Sequence, residues 1–130
     1  MEVSIIIPTF NRSKSLLNTI KSFANQYEMD NNYEIIISDN NSNDETFDVV
    51  SRFKSENKKL KVIYHFEPEQ GVHFARNSAA KIAEGRILYF TDDDMEADYK
   101  LLKEIVSLFR ENPNIATATG LVLPKYEIKP

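Results

Sequence analysis

Apolar residues along this 130-residue chain fall into two patterns, short continuous runs and stripes recurring every three to four positions. The first run, Val3-Ser4-Ile5-Ile6-Ile7, is largely β-branched and reads as a strand. Pro8, with no N–H for a ladder, is expected to end it. Leu16, Leu17, Ile20, Ala24 and Tyr27 follow at helical spacing and predict a half-buried helix, broken by Asp30-Asn31-Asn32. A second strand is expected over 33–38, with Ile35-Ile36-Ile37 at its centre and Asp39 at its end. Ser42-Asn43-Asp44-Glu45 has the spacing of a capping box. It precedes a helix expected over 44–57, with Phe47, Val50 and Phe53 on one side.

The pattern then repeats. A third strand is expected from Leu60 to Phe66, closed by Pro68. Gly71 opens a helical stripe of Ala75, Ala79, Ile82 and Ala83, with Gly85 as its C′ residue. Ile87 to Phe90 predicts a fourth strand running into Thr91-Asp92-Asp93-Asp94. Leu101, Leu102, Ile105, Val106 and Phe109 mark a further helix, stopped by Asn112-Pro113, and a fifth strand is expected over Ile115 to Leu123. Nearly continuous apolar strands alternating with helices define an α/β fold: a Rossmann-like three-layer α/β/α sandwich around a mostly parallel sheet. The length suits one domain spanning residues 1–130.

Composition narrows the partners more than the fold. Sixteen Lys and Arg against twenty Asp and Glu give a net charge of −4, which lacks the basic footprint of a nucleic-acid binder. With no cysteine there are no disulfides, no thiolate metal sites and no Cys nucleophile, in keeping with a reducing cytoplasm. No apolar run approaches the length of a transmembrane segment.

Three expected strands end in unusual polar clusters: Pro8-Thr9-Phe10-Asn11-Arg12, Asp39-Asn40-Asn41-Ser42 and Asp92-Asp93-Asp94. In a parallel sheet all three lie along one edge, where open α/β sheets bind ligands. Three adjacent carboxylates repel one another and favour a proton or a cation between them. Residues i and i+2 of an extended segment point the same way, about 6.6 Å apart. Asp92 and Asp94 are therefore expected to face one ligand, with Asp93 turned elsewhere. Oxygen-only donors suit Mg²⁺ or Mn²⁺, and few protein ligands suit a cation that also binds phosphates. A solvated acidic loop ahead of the next helix is the plainer reading of the same residues. Asp39, at the rim of the sheet, suits accepting a hydrogen bond from a base N–H or a ribose hydroxyl, although alone it reads as a turn former. Arg76 offers a two-pronged donor to a pyrophosphate, or simply a surface ion pair. His65 and His73 lack metal-ligand spacing and read as structural or rim residues. No glycine-rich phosphate loop and no Gly-x-Ser-x-Gly elbow is present, which disfavours dehydrogenases, P-loop ATPases and α/β-hydrolases.

Taken in order, Ser4 to Arg12, Ile37 to Asp44, Gly71 to Asn77 and Phe90 to Asp94 resemble a family 2 glycosyltransferase across essentially the whole chain. The resemblance implies a glycosyltransferase A-type fold of the nucleotide-diphospho-sugar transferase kind. It implies that Thr9 and Asn11 with neighbouring backbone line the base pocket, that Pro8, Phe10, Arg12 and Asn41 belong to the nucleotide-sugar site, and that Asp39 bonds the base, usually uracil. Arg76 would lie near the diphosphate. Asp92 and Asp93 would address the ribose or diphosphate, with Asp92 and Asp94 as ligands of a divalent Mn²⁺ or Mg²⁺. The implied reaction is inverting transfer of a sugar from a nucleotide-diphospho-sugar donor to a hydroxyl of a glycan or lipid-linked acceptor. Many members carry an acidic residue and a glycine in the cluster that here reads Asp39-Asn40-Asn41-Ser42. Members also continue beyond the triplet into a part that supplies the acceptor site and the general base. This chain is accordingly expected to be the donor-binding N-terminal part of a longer enzyme, with the general base beyond Pro130. The full-length protein would be cytoplasmic and at most peripheral to the inner face of the membrane.

Two other classes fit parts of the pattern. A nucleotidyltransferase shares the acidic residues and metal but normally has a glycine-rich, basic first loop, and Pro8 to Ser13 contains no glycine. A receiver-type signalling domain normally carries an acidic pair after the first strand, where Pro8-Thr9-Phe10-Asn11 stands here.

Overall fold

The computed structural model describes residues 1–118. Four strands, β1 (Val3–Thr9), β2 (Tyr33–Asp39), β3 (Lys61–Phe66) and β4 (Ile87–Phe90), alternate with four helices. The helices are α1 (Ser13–Ser22), α2 (Thr46–Glu56), α3 (Val72–Ile82) and α4 (Leu101–Glu111). All strand pairings are parallel, in the order β3-β2-β1-β4. β1 and β2 are buried at every position, which is why they read as continuous apolar runs rather than as an alternation.

The pleat divides the sheet between two cores. Val3, Ile5 and Ile7 of β1 with Tyr33, Ile35 and Ile37 of β2 point to one face, against Leu16 and Ile20 of α1, Val50 and Phe53 of α2, and Leu102 and Val106 of α4. Ile6 and Ile36 point to the other, beneath Ala79 of α3. These are the three layers the alternation predicted. The α3 face is the thinner one: Leu88 and Phe90 of edge strand β4 share its side of the pleat and stay 39% and 47% exposed.

Several expected boundaries shift. β1 continues through Pro8 to Thr9 because even-numbered residues of β1 turn their backbone toward β4, as the Thr91 N–H to Ile6 carbonyl bond shows, and β4 has ended by then. The missing N–H of Pro8 thus falls where no ladder partner stands. α1 stops at Ser22, so Ala24 and Tyr27 follow the helix rather than extend its stripe, and Tyr27 is exposed. α2 spans 46–56 without a capping box: its N-cap, Glu45, makes no side-chain cap bond, and the Ser42 hydroxyl accepts from Asn11 N–H instead. Phe47 does not join Val50 and Phe53 in the core but is 57% exposed. Ile82 ends α3 and is also exposed. Residues 115–118 carry no strand, and the rest of the expected fifth strand lies outside the described residues.

Gly85 is not a left-handed C′ residue; it is a point of close approach. A Cβ there would stand 2.4 Å from the Ser4 backbone nitrogen and 2.6 Å from its hydroxyl. The Gly85 N–H donates to that hydroxyl at 2.7 Å, and Ser4 donates in turn to the buried Glu34 carboxylate at 2.6 Å. Gly85→Ala should therefore push the α3–β4 connection off β1 and destabilise the chain by about 1–3 kcal/mol. Urea unfolding would show it, and an unchanged midpoint would contradict the close packing.

Candidate functional site

Parallel pairing brings the carboxyl ends of β1, β2 and β4 to one edge, and the polar clusters meet there. Thr9 Oγ1 donates to Asp93 Oδ2 at 2.8 Å across 84 residues of sequence. Arg12 reaches the same cluster, 3.3 Å from Asp93 Oδ1 and 3.2 Å from Asp94 Oδ2. From α3, Arg76 Nη2 lies 3.2 Å from Asp92 Oδ1. Each carboxylate of the triplet thus faces a cation or a hydroxyl. The carboxylates differ in setting: Asp93 has a side chain 7% exposed, against 61% for Asp92 and 48% for Asp94. Burial is the main cause pushing the Asp93 carboxyl above its ordinary value, and Asp94 adds to it; Thr9 and Arg12 oppose the rise. The segment begins to turn at Asp93, so the triplet is not the extended strand assumed above.

Asp39 closes β2 and is 2% exposed. Its Oδ1 accepts Ser42 N–H at 2.9 Å, and its Oδ2 accepts the Tyr64 hydroxyl at 2.5 Å. Asn11 and Asn41 take left-handed backbone, with φ of 51° and 69°, a region Asn tolerates better than most residues and glycine adopts freely. Asn11 also links two loops, since its N–H donates to Ser42 Oγ and its Oδ1 accepts Asn43 N–H. Phe10 is 44% exposed on the same rim.

Asn40, read from sequence as part of a turn, is a tie between segments. Its backbone N–H donates to the Thr9 carbonyl, and its carbonyl accepts Gln70 Nε2. Its side-chain Nδ2 donates to the carbonyls of Glu67 and Glu69, while Oδ1 accepts Gly71 N–H. Gly71, with φ +138°, adopts backbone that side chains other than glycine's rarely take, and α3 with Arg76 starts immediately after it. Thr19, Ser22 and Gln26 do the same work for the segment after the triplet. Thr19 Oγ1 and Ser22 Oγ accept the Met95 and Ala97 N–H groups, and Gln26 bonds Asp98 O and Leu102 N. Thr19, a polar residue on the buried face of α1, offered a signal in the sequence; Ser22 at the helix end and Gln26 beyond it did not.

Among the described residues no three His, Asp or Glu side chains converge into a ready-made metal cage. Asp92 and Asp94 nevertheless fit a cation that takes few protein ligands and completes its shell with phosphate oxygens, being exposed carboxylates beside a diphosphate-binding candidate, Arg76. His73 is exposed and stacks on Phe74, apart from this cluster. Asp98 Oδ1 accepts Lys100 N–H just before α4, and Glu104 lies in the first turn of that helix. Glu127 lies outside the described residues.

A parallel three-layer sheet with acidic and basic side chains gathered at its carboxyl edge defines a glycosyltransferase A-type nucleotide-sugar transferase fold. The chain belongs to glycosyl transferase family 2, whose model matches residues 4–129. It is 38% identical over 95 residues to the Campylobacter jejuni GalNAc(5)-diNAcBac-PP-undecaprenol beta-1,3-glucosyltransferase, covering 73% of this chain and 30% of the relative. Among solved structures it is similar to S. aureus TarS 1-349 in complex with UDP (TM-score 0.79, 26% identity), covering 96% of this chain and 38% of that one. It is also similar to a Pyrobaculum calidifontis mannosyltransferase in complex with GDP-Man and Mn²⁺ (TM-score 0.70, 27% identity), covering 73% of this chain and 28% of the other. The chain spans between 18% and 37% of the length of the first curated relatives it matches.

Proposed function

We propose that this chain is the donor-binding part of a metal-dependent, inverting glycosyltransferase that moves a sugar from a UDP-linked donor to a hydroxyl of a glycan or lipid-linked acceptor. The observation that carries this reading is the convergence of Asp39, Arg76 and the Asp92–Asp94 triplet on one sheet edge. A relative acting on an undecaprenol-linked glycan and neighbours bound to UDP or GDP-mannose support the donor and acceptor classes.

In this reading Asp39 and the Thr9–Arg12 loop take the base, and Arg76 takes the diphosphate as a planar two-pronged donor. Asp92 and Asp94 would hold Mn²⁺ or Mg²⁺, which when bound neutralises charge on the departing diphosphate. Asp93 keeps Arg12 aimed at the cluster from its buried position. The acceptor hydroxyl needs a base within hydrogen-bond reach, and that base is assigned to the part of the enzyme corresponding to the remainder of its relatives' length. The short coverage of those relatives favours that division. No helix among the described residues is long and apolar enough to cross a membrane.

Titration calorimetry of the chain with UDP, with Mn²⁺ and then with chelator, tests the reading. Binding should tighten about tenfold or more with the cation, since the triplet's mutual repulsion falls as it is neutralised. Equal affinity in both conditions would remove the metal from the account.

A further inference from the structure

Tyr64 stands on β3 in register with Ile37, on the face of the sheet packed by α1 and α2. Its ring meets Phe47 edge-on, 5.0 Å between centroids at 87°. Its hydroxyl donates to Asp39 Oδ2, and the Ser42 N–H holds the other carboxylate oxygen. Both resident partners of Asp39 are donors. An ionised carboxylate has about four lone-pair positions, and two are taken, so what it offers a ligand is acceptor capacity alone. Burial first, and the neighbouring Asp39 second, push the Tyr64 hydroxyl above its ordinary value and keep it a protonated donor.

We propose that Tyr64 sets nucleobase specificity, by fixing the Asp39 carboxylate so that its remaining lone pairs select a base edge bearing an N–H, as uracil does at N3, over an edge bearing a bare ring nitrogen, as cytosine does. The inference rests on the reading of Asp39 as the base contact. Fixation matters because Asp39 is 2% exposed. Little water reaches it to bridge a mismatch, so an acceptor placed against this carboxylate leaves two buried lone pairs opposed. A site built around such hydrogen bonds discriminates far better than one shaped by size alone. Without the hydroxyl, the carboxylate gains rotational freedom about its terminal bond and the penalty relaxes.

The experiment is calorimetric titration of UDP and of CDP, each with Mn²⁺, into the 130-residue chain and its Tyr64→Phe, Asp39→Ala and doubly substituted variants. Tyr64→Phe keeps the ring on Phe47 and should lower the UDP-over-CDP affinity ratio about tenfold. Asp39→Ala should bring the ratio close to unity, and the double variant should lose nothing further. The ratio is insensitive to any fraction of unfolded chain, so a less stable variant still reports. An unchanged ratio in Tyr64→Phe, or tighter UDP binding from a hydroxyl that had been competing, would overturn the inference while Asp39→Ala still behaved as expected. If Asp39→Ala kept the wild-type ratio, or the unaltered chain did not bind UDP, the base-site reading itself would fall.

Discussion

Glu34→Ala is expected to destabilise the chain by about 3 kcal/mol in urea unfolding, the largest stability loss of any single change considered. Glu34 is completely buried in β2, yet it is charged and well partnered. Oε1 accepts from Ser4 Oγ at 2.6 Å and from Glu84 N–H at 2.8 Å, while Oε2 faces Lys61 Nζ at 3.1 Å. Removing the carboxylate strands a buried hydroxyl and a backbone amide and loosens the α3–β4 connection. The Lys61 contribution is discounted because that side chain is 40% exposed and keeps a second partner in Glu84. Burial is the largest influence and pushes the Glu34 carboxyl up; the Glu84 amide, Ser4 and Lys61 together outweigh it and hold the value below the ordinary 4.5. A lowered value means the stabilisation is fully present above pH 4.5 and is lost as pH falls through the lower folded value. Glu34→Gln should flatten that acid limb of the stability profile. A limb of unchanged steepness would assign it to other carboxylates.

Asp94→Asn should lower UDP affinity in Mn²⁺ about ten- to a hundredfold, toward the value seen with chelator. Asp93→Asn should leave the cation's increment largely intact. The two side chains are adjacent, but one is 48% exposed and the other 7% exposed and bonded to Thr9. On the proposed reading the exposed carboxylate takes a cation shared with phosphate, while the buried one holds Thr9 and Arg12. Identical losses in the two variants would show that the triplet acts as one undivided charge.

Much of this was legible from the sequence because strands show as short continuous apolar runs, buried and β-branched in β1 and β2 and half-exposed in β4. Ile5-Ile6-Ile7, Ile35-Ile36-Ile37 and Ile87 to Phe90 each became a strand, and the polar clusters at their ends came to one edge because parallel pairing admits no other placement. Helix ends were harder, since Arg12, Glu45, Gly71 and Lys100 occupy the N-cap positions without side-chain cap bonds. Tyr64 gave no signal, because an aromatic residue inside a strand reads as core; only the register of β3 against β2 brings it to Asp39. Gly85 was misread because a glycine after a helix suggests a turn, and the crowding by Ser4 that requires it comes from a strand 81 residues away.

Asn40 gives the carboxyl edge of the sheet a mechanical property. One residue ties the end of β1 to the 67–71 loop through backbone on one side and a side-chain amide on the other. The wall that carries Arg76 is therefore geared to the wall that carries Thr9. Asn40→Asp, unable to donate to the Glu67 and Glu69 carbonyls, should loosen the 67–71 loop while the backbone bond to Thr9 and the acceptor for the Gly71 N–H remain.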